Sequence, residues 1–317
     1  MRTLISIVAY QNAEEIKSCL APLCQDPAFF LQRRLAVVDN GPGHATLLAV
    51  QREVFPGADP SCRSAVELIP APRNLGWAGG HNLALTRMAA SRYLLLLNPD
   101  AVVTPQVVAG LEEFLEAHPA VGAVGPALFD AKGQLQRSIF PLNTPGRGFF
   151  SLLGLEKCYE RGLHWLRGEE WQLLFQAGKP VVLQAHYLSG AVLLVRRQAL
   201  AHLSGHLDQR YFLYYDDEDL CREIRRGGFQ VAWHPGLAAV HLGGRSRLSS
   251  DPVCNEARKL ALAMRAKELL YEKWYGAGLA RLVHWGHQAR LRLGGYLPGK
   301  RRALYREARK LVEAGQN

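Results

Sequence analysis

The segment that most constrains the fold is the apolar run from Tyr93 to Leu97, followed directly by Asn98, Pro99 and Asp100. A short apolar run bounded by a turn signal predicts a buried strand. The turn then leaves a carboxylate at the carboxyl end of that strand, the edge where ligands lie in open α/β sheets. A carboxylate there suits a hard divalent cation that also takes phosphate oxygens. The alternative is that the three residues form only a turn.

Strands and helices alternate over the first 120 residues, which predicts a parallel sheet with right-handed crossovers. The expected strands are 4–9, 34–39, 66–69 and 93–97. The expected helices are 13–23, capped by Asn12, and 46–54, 81–90 and 105–117. Residues 70–80, rich in Pro, Gly and Asn, are expected to form a loop.

The pattern changes after about residue 121, where short strands at 121–124, 134–140, 182–187 and 191–195 indicate a mixed second half. Between them lies an irregular stretch, 141–179, whose aromatic residues include Phe149, Phe150, Trp165 and Trp171. A long irregular insertion is often functional, and this one is a candidate cover for a substrate. Beyond Ser246 the chain becomes basic and helical, with helices expected at 255–275, 277–293 and 300–314.

The charge of the chain points to an anionic partner. Its 317 residues carry a formal net charge of +10 and are 48% hydrophobic, which is enough for a sizeable core. Phosphates, a membrane surface or nucleic acid would each fit the basic charge, but no nucleic-acid motif is present and we expect no nucleic-acid partner. The six cysteines form no metal-like spacing and are expected to be reduced, as in the cytosol. No signal peptide or membrane-spanning run is expected.

Two polar blocks follow predicted strands in the first half. Asp39 and Asn40 end the second strand, where the carboxylate can accept a hydrogen bond from a pyrimidine ring N–H; a helix cap or turn is the alternative. The stretch from Arg73 to Asn82 is rich in glycine, which lets a backbone approach a ligand closely. A helix starting near His81 would offer free N–H groups to an anion, whereas a surface loop with an aromatic plug is the other interpretation.

Two further blocks lie in the second half. Tyr211–Arg222 places aromatic residues before four consecutive acids, 216–219. The helix dipole accounts for acids at a helix start, but carboxylates packed beside an aromatic wall also acquire the raised pKa of a general base. His241 follows a predicted strand and precedes Gly-Gly; it is either structural or a second metal ligand.

These blocks, in this order and spacing, resemble the inverting GT-A glycosyltransferases of family 2, and most closely the bacterial rhamnosyltransferase-like branch. The resemblance covers roughly residues 3–246. The matching blocks are Val38–Asn40, Asn74–Asn82, Leu97–Asp100, Gly190–Arg197, Tyr211–Arg222 and His241–Ser246. It implies an α/β GT-A fold at 1–246, with a nucleotide-binding half at about 1–120 and an acceptor half at about 121–246. Residues 247–317 would form a basic helical extension.

The resemblance also implies roles for individual residues. Asp217 would be the catalytic base, with Asp216 able to exchange roles with it. Asp100 would bind Mg²⁺ or Mn²⁺, with His241 as a possible second ligand. The nucleotide sugar would be bound by a set drawn from the strand ends and the glycine-rich block: Ala9, Tyr10, Asn12, Asp39, Asn74, Gly76, Trp77, Gly79, Asn82 and Asn98.

Three positions depart from the family pattern. Asn98 replaces the first acid of a strict Asp-x-Asp, so Asp100 would hold the metal more alone. Asp216 stands where Glu is usual, and Glu218 adds a charge. The acidic run is therefore ambiguous by one residue, and either Asp216 or Asp217 is the base.

The implied activity is inverting, metal-dependent sugar transfer in the synthesis of bacterial cell-surface polysaccharide or lipopolysaccharide. The expected donor is dTDP-rhamnose and the expected acceptor a saccharide or polyprenyl-linked glycan. A galactofuranosyl or hexosyl transferase with a UDP donor is the alternative within this class. A nucleotide-sugar binding protein without turnover, or a nucleotide-sugar-forming enzyme, is the alternative outside it.

The basic charge is concentrated at the C-terminal end of the chain. Residues 254–317 contain 14 Lys or Arg against five Glu. Cationic helices with Trp and Leu lie in membrane interfaces, but they also pack their apolar faces on a core. We expect core packing for 255–275 and contact with an anionic membrane for 281–310, around Trp285 and Tyr296. The expected location is therefore cytoplasmic and peripheral, on the inner face of the plasma membrane.

Overall fold

A computed structural model of the chain describes residues 1–88, 91–152, 178–183, 186–243, 251–296 and 298–314. Trp165 and Trp171, and with them most of the irregular stretch predicted at 141–179, lie outside the described residues. The chain forms two compact units. The first comprises Met1–Pro141, Trp171–Gln209 and Asp217–Ser246, and the second comprises Leu142–Glu170, Arg210–Asp216 and Arg247–Asn317.

The first unit is built on a mixed sheet whose order is β3-β2-β1-β4-β11-β6-β12-β5. The described strands of the unit are β1 (Thr3–Ala9), β2 (Arg33–Asp39), β3 (Val66–Pro70), β4 (Tyr93–Leu97), β5 (Ala101–Val102), β6 (Val121–Phe129), β7 (Leu135–Gln136), β8 (Ile139–Pro141), β9 (Val181–Leu183), β10 (His186–Leu188), β11 (Val192–Arg196) and β12 (Gln230–His241). β7 and β9 join the mixed sheet beside β6 and β12, whereas β8 and β10 form a separate two-stranded sheet. Strands β1 to β4 are parallel, whereas β11 runs antiparallel to both β4 and β6. The predicted parallel first half and mixed second half are thus confirmed.

Apolar side chains on both faces of the sheet form the core of this unit. All five residues of β4 are buried, as its uninterrupted apolar run predicts, and all five of β11 are buried, including Arg196 at its end. Two predicted strands, 134–140 and 182–187, are each divided in the structure. β7 pairs with β6 whereas β8 pairs with β10, and β9 pairs with β12, so each predicted run serves two different partners.

Helices cover the faces of this sheet. They are α1 (Glu15–Cys24), α2 (Ala45–Ala49, continued by a π-helical turn at Val50–Val54), α3 (Pro60–Ala65), α4 (Gly76–Arg87) and α5 (Pro105–Ala117). Helix α5 has the predicted bounds, with Pro at its first turn and Thr104 as its side-chain cap. The predicted cap of the first helix is wrong. That helix begins at Glu15, and the Asn12 side chain instead accepts a hydrogen bond from the Tyr10 amide (2.9 Å).

The amino-terminal edge of the parallel strands is held by a buried ionic network. Glu112 of α5 is completely buried. It accepts hydrogen bonds from Thr3 Oγ1 at 2.5 Å and from two nitrogens of Arg33, and Arg2 Nε lies 3.2 Å from it. A buried carboxylate with this many donors is satisfied structurally. This network therefore has a structural role, and the polar residues considered for function lie at the opposite, carboxyl-terminal edge of the strands.

The cysteines differ from expectation at one pair. Cys24 at the end of α1 and Cys62 in α3 form a disulfide with their Cα atoms 5.1 Å apart. The prediction of six reduced thiols is therefore wrong for these two, because spacing along the chain cannot show that the two helices meet. Cys19, Cys221 and Cys254 are free thiols.

The second unit contains the C-terminal helices at nearly the predicted bounds. Helices of this unit are α6 (Pro145–Leu152), α8 (Pro252–Tyr275), α9 (Ala277–Gly294) and α10 (Lys300–Glu313), whereas α7 (Asp216–Arg226) belongs to the first unit from Asp217 onward. Asp251 caps α8 by accepting from the Cys254 amide at 2.7 Å. Across the described ranges, no helix is both long enough and apolar enough to cross a bilayer.

Candidate active site

Predicted site residues meet at the carboxyl edge of the parallel strands. Ala9 and Asp39 end neighbouring strands and are directly paired. The Asn98 amide, just after β4, donates to the carbonyl oxygen of Ala191 at 2.9 Å. Because β11 runs against β4, the residues that precede β11 lie at the same edge as the residues that follow β4.

Asp100 and His241 are brought together by the pairing of two strands. Ala101 of β5 lies opposite His241 at the end of β12, and the Leu242 amide donates to the Asp100 carbonyl oxygen at 2.9 Å. As a result, His241 Nε2 lies 3.5 Å from Asp100 Oδ1, and their side chains are only 18% and 11% exposed. The two predicted metal ligands are therefore neighbours, although they are far apart in the sequence.

Gln136 of β7 holds the other side of the His241 ring. The Gln136 side-chain nitrogen donates to the His241 carbonyl oxygen at 2.7 Å, and Gln136 Oε1 lies 3.2 Å from His241 Nδ1. A carbonyl oxygen only accepts, so the first contact fixes which end of the amide faces the ring. His241 Nδ1 therefore donates to Gln136, and Nε2 is the ring nitrogen that faces Asp100.

This arrangement is suited to a divalent cation. His241 Nε2 and Asp100 Oδ1, 3.5 Å apart, offer one imidazole nitrogen and one carboxylate oxygen to such an ion. Two ligands that each lie ~2.1 Å from one ion can be separated by this distance, and Mn²⁺ accepts both imidazole and carboxylate. The described residues contain no group of three or more such ligands, so water and phosphate oxygens would complete the coordination. The residues present thus fit the implied metal.

The Asp39 carboxylate is completely buried and is engaged by backbone amides. Its Oδ1 accepts from Gly41 N at 2.8 Å, and its Oδ2 accepts from Thr46 N at 3.0 Å and from Leu47 N at 3.4 Å. These contacts cap helix α2, which corresponds to the structural alternative considered for Asp39. Its contact with a pyrimidine stays a prediction.

Helix α4 begins at Gly76, so the predicted loop at 70–80 and the predicted helix start near His81 are wrong. Packing explains the difference. A Cβ on Gly80 would lie 2.5 Å from a methyl group of Val8 on β1, and one on Gly79 would lie 2.9 Å from Leu75 Cβ. Glycine is a poor helix former, but here it lets α4 lie directly on the sheet.

Asparagine side chains shape the start of α4. Asn40 Nδ2 donates to the Gly76 carbonyl oxygen at 2.9 Å, and Asn74 Oδ1 accepts from the Gly76 amide at 3.0 Å. Farther along α4, Asn82 makes two hydrogen bonds, 2.8 and 2.9 Å, to the backbone of Leu207. The predicted roles of Asn74 and Asn82 in nucleotide binding remain predictions alongside these structural contacts.

His81 lies in the interior of α4 and is completely buried. Its Nδ1 lies 2.7 Å from the Ser6 hydroxyl, and its ring meets Trp77 edge to face at 4.5 Å between centroids. Burial lowers the pKa of His81 to about 3, so the ring is neutral at physiological pH. Trp77 itself is half-buried beside it.

Asp217 lies in the first turn of α7 and is joined to the edge of the sheet. Its Oδ2 accepts from Gly190 N at 3.4 Å, and its Oδ1 accepts from Glu218 N at 2.8 Å. A Cβ on Gly190 would lie 3.1 Å from the Trp77 ring and 3.4 Å from Asp217 Cβ, so these three residues are packed together. Gly190 precedes Ala191, the partner of Asn98, and this links Asp217 to the end of β4.

The environment of Asp217 raises the pKa of its carboxyl group. Burial, together with the charge of the neighbouring Glu218, raises the pKa of Asp217 to about 7, although three hydrogen bonds from backbone amides lower it. Glu218 is completely buried and forms an ion pair with Arg222 at 2.7 Å. Asp217 stays partly exposed and can therefore reach a ligand. A carboxylate poised near pH 7 exchanges protons effectively at that pH.

The backbone just before α7 is unusual. Tyr214 and Tyr215 both have positive φ angles, 73° and 61°, which are rare for residues with side chains and cost of order 1 kcal/mol each. Within the second unit these tyrosines pack against a cluster that contains Tyr211 and Leu270. The next residue, Asp216, is partly exposed and begins the helix.

Two functional candidates were missed at the sequence level. Gln136 carries no sequence signal, because its partner His241 is 105 residues away. Gly190 belongs to a block noted in the sequence, but its amide contact with Asp217 depends on how β11 and α7 pack.

The comparisons with known proteins agree with this architecture. A family model described as "Glycosyltransferase like family 2" matches residues 2–268. Two curated proteins, from two strains of Mycobacterium tuberculosis, are each 27% identical over 248 residues, which is 74% of this chain and 74% of theirs. Both are named N-acetylglucosaminyl-diphospho-decaprenol L-rhamnosyltransferase.

Two solved structures are similar in fold. The mannosyltransferase PcManGT from Pyrobaculum calidifontis, determined with GDP-Man and Mn²⁺, is 16% identical with a TM-score of 0.54, covering 100% of this chain and 88% of that one. GalNAc-T7, determined with UDP, GalNAc and Mn²⁺, is 12% identical with a TM-score of 0.57, covering 98% of this chain and 54% of that one. The predicted GT-A fold is confirmed.

Proposed function

The chain belongs to the glycosyltransferase-like family 2, and from this premise we propose that it transfers a sugar from a nucleoside-diphosphate donor to an acceptor hydroxyl with inversion. The observation that carries the proposal is Asp217. It combines a pKa of about 7 with partial exposure and lies beside Trp77 at the edge where α/β folds bind ligands. A base at this position needs no further activation at neutral pH.

The proposed reaction gives each of these residues a role. As the acceptor oxygen attacks the anomeric carbon, Asp217 accepts its proton, and the bond from that carbon to the diphosphate oxygen breaks on the opposite face. Asp100 and His241 would hold a divalent cation, which supplies charge neutralisation at the leaving diphosphate. Gln136 would hold the His241 ring in the orientation that this binding needs. A single displacement of this kind inverts the anomeric centre.

The proposed donor is dTDP-rhamnose and the proposed acceptor a polyprenyl-linked glycan of bacterial cell-surface polysaccharide synthesis. Support comes from the two mycobacterial relatives, whose name specifies an L-rhamnosyl transfer to a diphospho-decaprenol acceptor. A UDP-linked galactofuranosyl or hexosyl donor is the second candidate. Because a lipid-linked acceptor lies in a membrane, we place the enzyme peripherally on the cytoplasmic face of the plasma membrane.

The deciding experiment measures donor hydrolysis and transfer for a panel of dTDP- and UDP-sugars with Mn²⁺, with Mg²⁺ and with EDTA. We expect turnover that needs the metal and is lost in Asp100→Ala, with circular dichroism and melting unchanged. Asp26→Ala, which removes an acid from a loop of the same unit, is the matched control and should keep full activity. A folded Asp100→Ala enzyme with near wild-type transfer would refute the metal assignment. Donor binding without any turnover would favour a non-catalytic nucleotide-sugar binding protein.

A further inference from the structure

Helix α9 of the second unit has an exposed apolar face. Eight large hydrophobic side chains are exposed among the described residues, and four of them lie on this helix or directly after it. Leu282 is 44% exposed, Trp285 65%, Leu293 69% and Tyr296 82%. Half of the exposed large apolar side chains of the described chain are therefore gathered on one element.

Three of these side chains lie on one face of the helix, and Tyr296 follows directly after its C-terminal end. At 3.6 residues per turn, 282, 285 and 293 project to the same side, with Ala289 between them. The opposite side packs within the second unit. Val283 and Leu291 are buried there, and His287 Nδ1 lies 2.8 Å from Glu268 of α8. Helix α9 thus has one apolar face that the fold uses and a second that it leaves in solvent.

The charged side chains of helix α9 itself, apart from its histidines, are all positive. Helix α9 contains no Asp or Glu, and its three arginines are Arg281, Arg290 and Arg292. By helical position, Arg281 and Arg292 flank the apolar face along one side, while Arg290 lies on the other side with its Nε 3.4 Å from the Tyr305 hydroxyl of α10. A helix with Trp, Tyr and Leu at its centre and arginines at its margins is typical of helices that lie in a bilayer interface.

We propose that the α9 face, defined as Leu282, Trp285, Leu293 and Tyr296 with Arg281 and Arg292, lies in the headgroup region of an anionic lipid bilayer. The proposal rests on the proposed function only for its purpose, which is access to a lipid-linked acceptor. The apolar side chains enter the boundary between headgroups and acyl chains, and the arginines contact the lipid phosphates. The negative surface potential of the bilayer attracts such cations.

A second copy of the chain fits the α9 face less well than a bilayer does. A symmetric dimer would place the same face on itself and bring the arginines of both copies together, with no acidic residue on the helix to neutralise them. Four apolar side chains are also few beside the roughly 20–30 residues per side of a standard protein interface. A bilayer needs no complementary shape and supplies the opposite charge.

The first experiment is co-sedimentation of the full chain with vesicles of phosphatidylcholine, with and without phosphatidylglycerol, at low and high salt. We expect binding to the anionic vesicles that weakens with salt. The double variant Trp285→Ser/Leu293→Ser should lose this binding, whereas Leu31→Ser, at an 81% exposed leucine in the first unit, should keep it. Equal binding by both variants, or failure of the wild type to bind either vesicle, would overturn the proposal.

The charge contribution is tested with Arg281→Gln/Arg292→Gln. We expect the partition coefficient on anionic vesicles to fall roughly fivefold for each arginine. Arg52→Gln/Arg87→Gln removes two exposed arginines of the first unit and is the matched control, which should bind within about twofold of wild type. Loss of the same size in both double variants would mean that net charge and not the α9 face carries the binding.

Insertion is measured directly by quenching of tryptophan fluorescence with lipids brominated on the acyl chain. We expect vesicle-dependent quenching that disappears in Trp285→Phe. Light scattering after size exclusion tests whether the α9 face instead binds a second copy of the chain. A wild-type dimer that Trp285→Ser/Leu293→Ser converts to a monomer would overturn the bilayer proposal in favour of a dimer contact. Donor hydrolysis is assayed in parallel and should be unchanged in these variants. Vesicle binding in a protein without transferase activity would refute the proposed function alone.

Discussion

His241 is held at two points by Gln136. One end of the Gln136 amide accepts from the imidazole at 3.2 Å, and the other donates to the backbone of the same histidine at 2.7 Å. This double contact sets the direction in which the ring faces Asp100, 3.5 Å away. Outer partners of this kind orient a ligand and raise its basicity.

We predict that Gln136→Leu weakens Mn²⁺ binding by about 10- to 100-fold while the fold persists. Gln136→Glu keeps an acceptor for His241 Nδ1 and should retain more of the affinity. Gln134→Leu, two residues earlier and exposed, is the control. The measurement is the free Mn²⁺ signal in electron paramagnetic resonance, in the presence of the nucleoside diphosphate. Equal Mn²⁺ affinity in Gln136→Leu and Gln134→Leu would show that His241 does not need this partner.

The second prediction concerns the pH dependence of transfer. Because Asp217 must be deprotonated to act as the base and its pKa is raised to about 7, kcat/KM should rise with pH up to about 7 and level off above it. Asp217→Asn should bind donor normally, lose transfer by about 10²-fold or more and show no such inflection. Asp216→Asn should keep the wild-type profile. If Asp216→Asn is instead the inactive variant, Asp216 is the base.

The third prediction is that Asp217 lowers stability above neutral pH. Its folded-state pKa, about 7, lies above the ordinary value of 3.8, so the folded state binds the proton more tightly than the unfolded state. Between these values the free energy of unfolding falls as pH rises. Asp217→Asn should therefore be more stable than wild type at about pH 8, on the order of 2 kcal/mol after allowing for partial exposure, and the difference should shrink as pH falls toward 4. Urea unfolding at several pH values measures this, and a difference independent of pH would contradict it.

Apolar runs and turn residues were sufficient to predict much of the fold. β4 lies where the run 93–97 predicts it, because five consecutive apolar residues favour a strand that is buried on both faces. Helices α8 to α10 were predicted within a few residues from their periodicity. The start of α4 was not, because glycines normally argue against a helix and only the approach to Val8 explains them.

Some residues of the candidate site can be predicted from the sequence and others cannot. Asp100 and Asp217 are candidates from the sequence alone, because each follows or begins an element at a defined motif. The Gln136–His241 contact, the amide of Gly190 and the Cys24–Cys62 disulfide each join segments that are distant in sequence. Such contacts depend on strand order and helix packing, which local pattern does not specify.

The fourth prediction separates the two roles considered for Asp39. Asp39→Ala would leave three buried backbone N–H groups without their acceptor and should lower the free energy of unfolding by about 2–3 kcal/mol. Asp39→Asn keeps one acceptor oxygen and should cost less. Calorimetry with dTDP and UDP on the folded variants tests the nucleotide role. If Asp39→Asn is as stable as wild type but binds dTDP and UDP more weakly, a pyrimidine contact is supported. Unchanged nucleotide affinity would mean that Asp39 serves only to cap helix α2.

The fifth prediction tests why α4 contains glycines. Gly80→Ala would place a methyl group 2.5 Å from one carbon of the Val8 side chain and 2.8 Å from another, so the helix or the strand must shift. We expect a loss of about 1–3 kcal/mol in the free energy of unfolding. Because α4 also carries Trp77, which packs beside Gly190 and Asp217, kcat/KM should fall as well.

Gly278→Ala in α9 is the matched control, since a Cβ there has no atom within 4 Å, and it should be neutral or stabilising by about 0.5 kcal/mol. The double variant Gly80→Ala/Val8→Ala removes the opposing methyl groups. It should recover part of the lost activity, because the space it opens lets α4 return to its position. Equal stability of Gly80→Ala and wild type would mean that Val8 moves aside freely and that close packing does not select glycine at position 80.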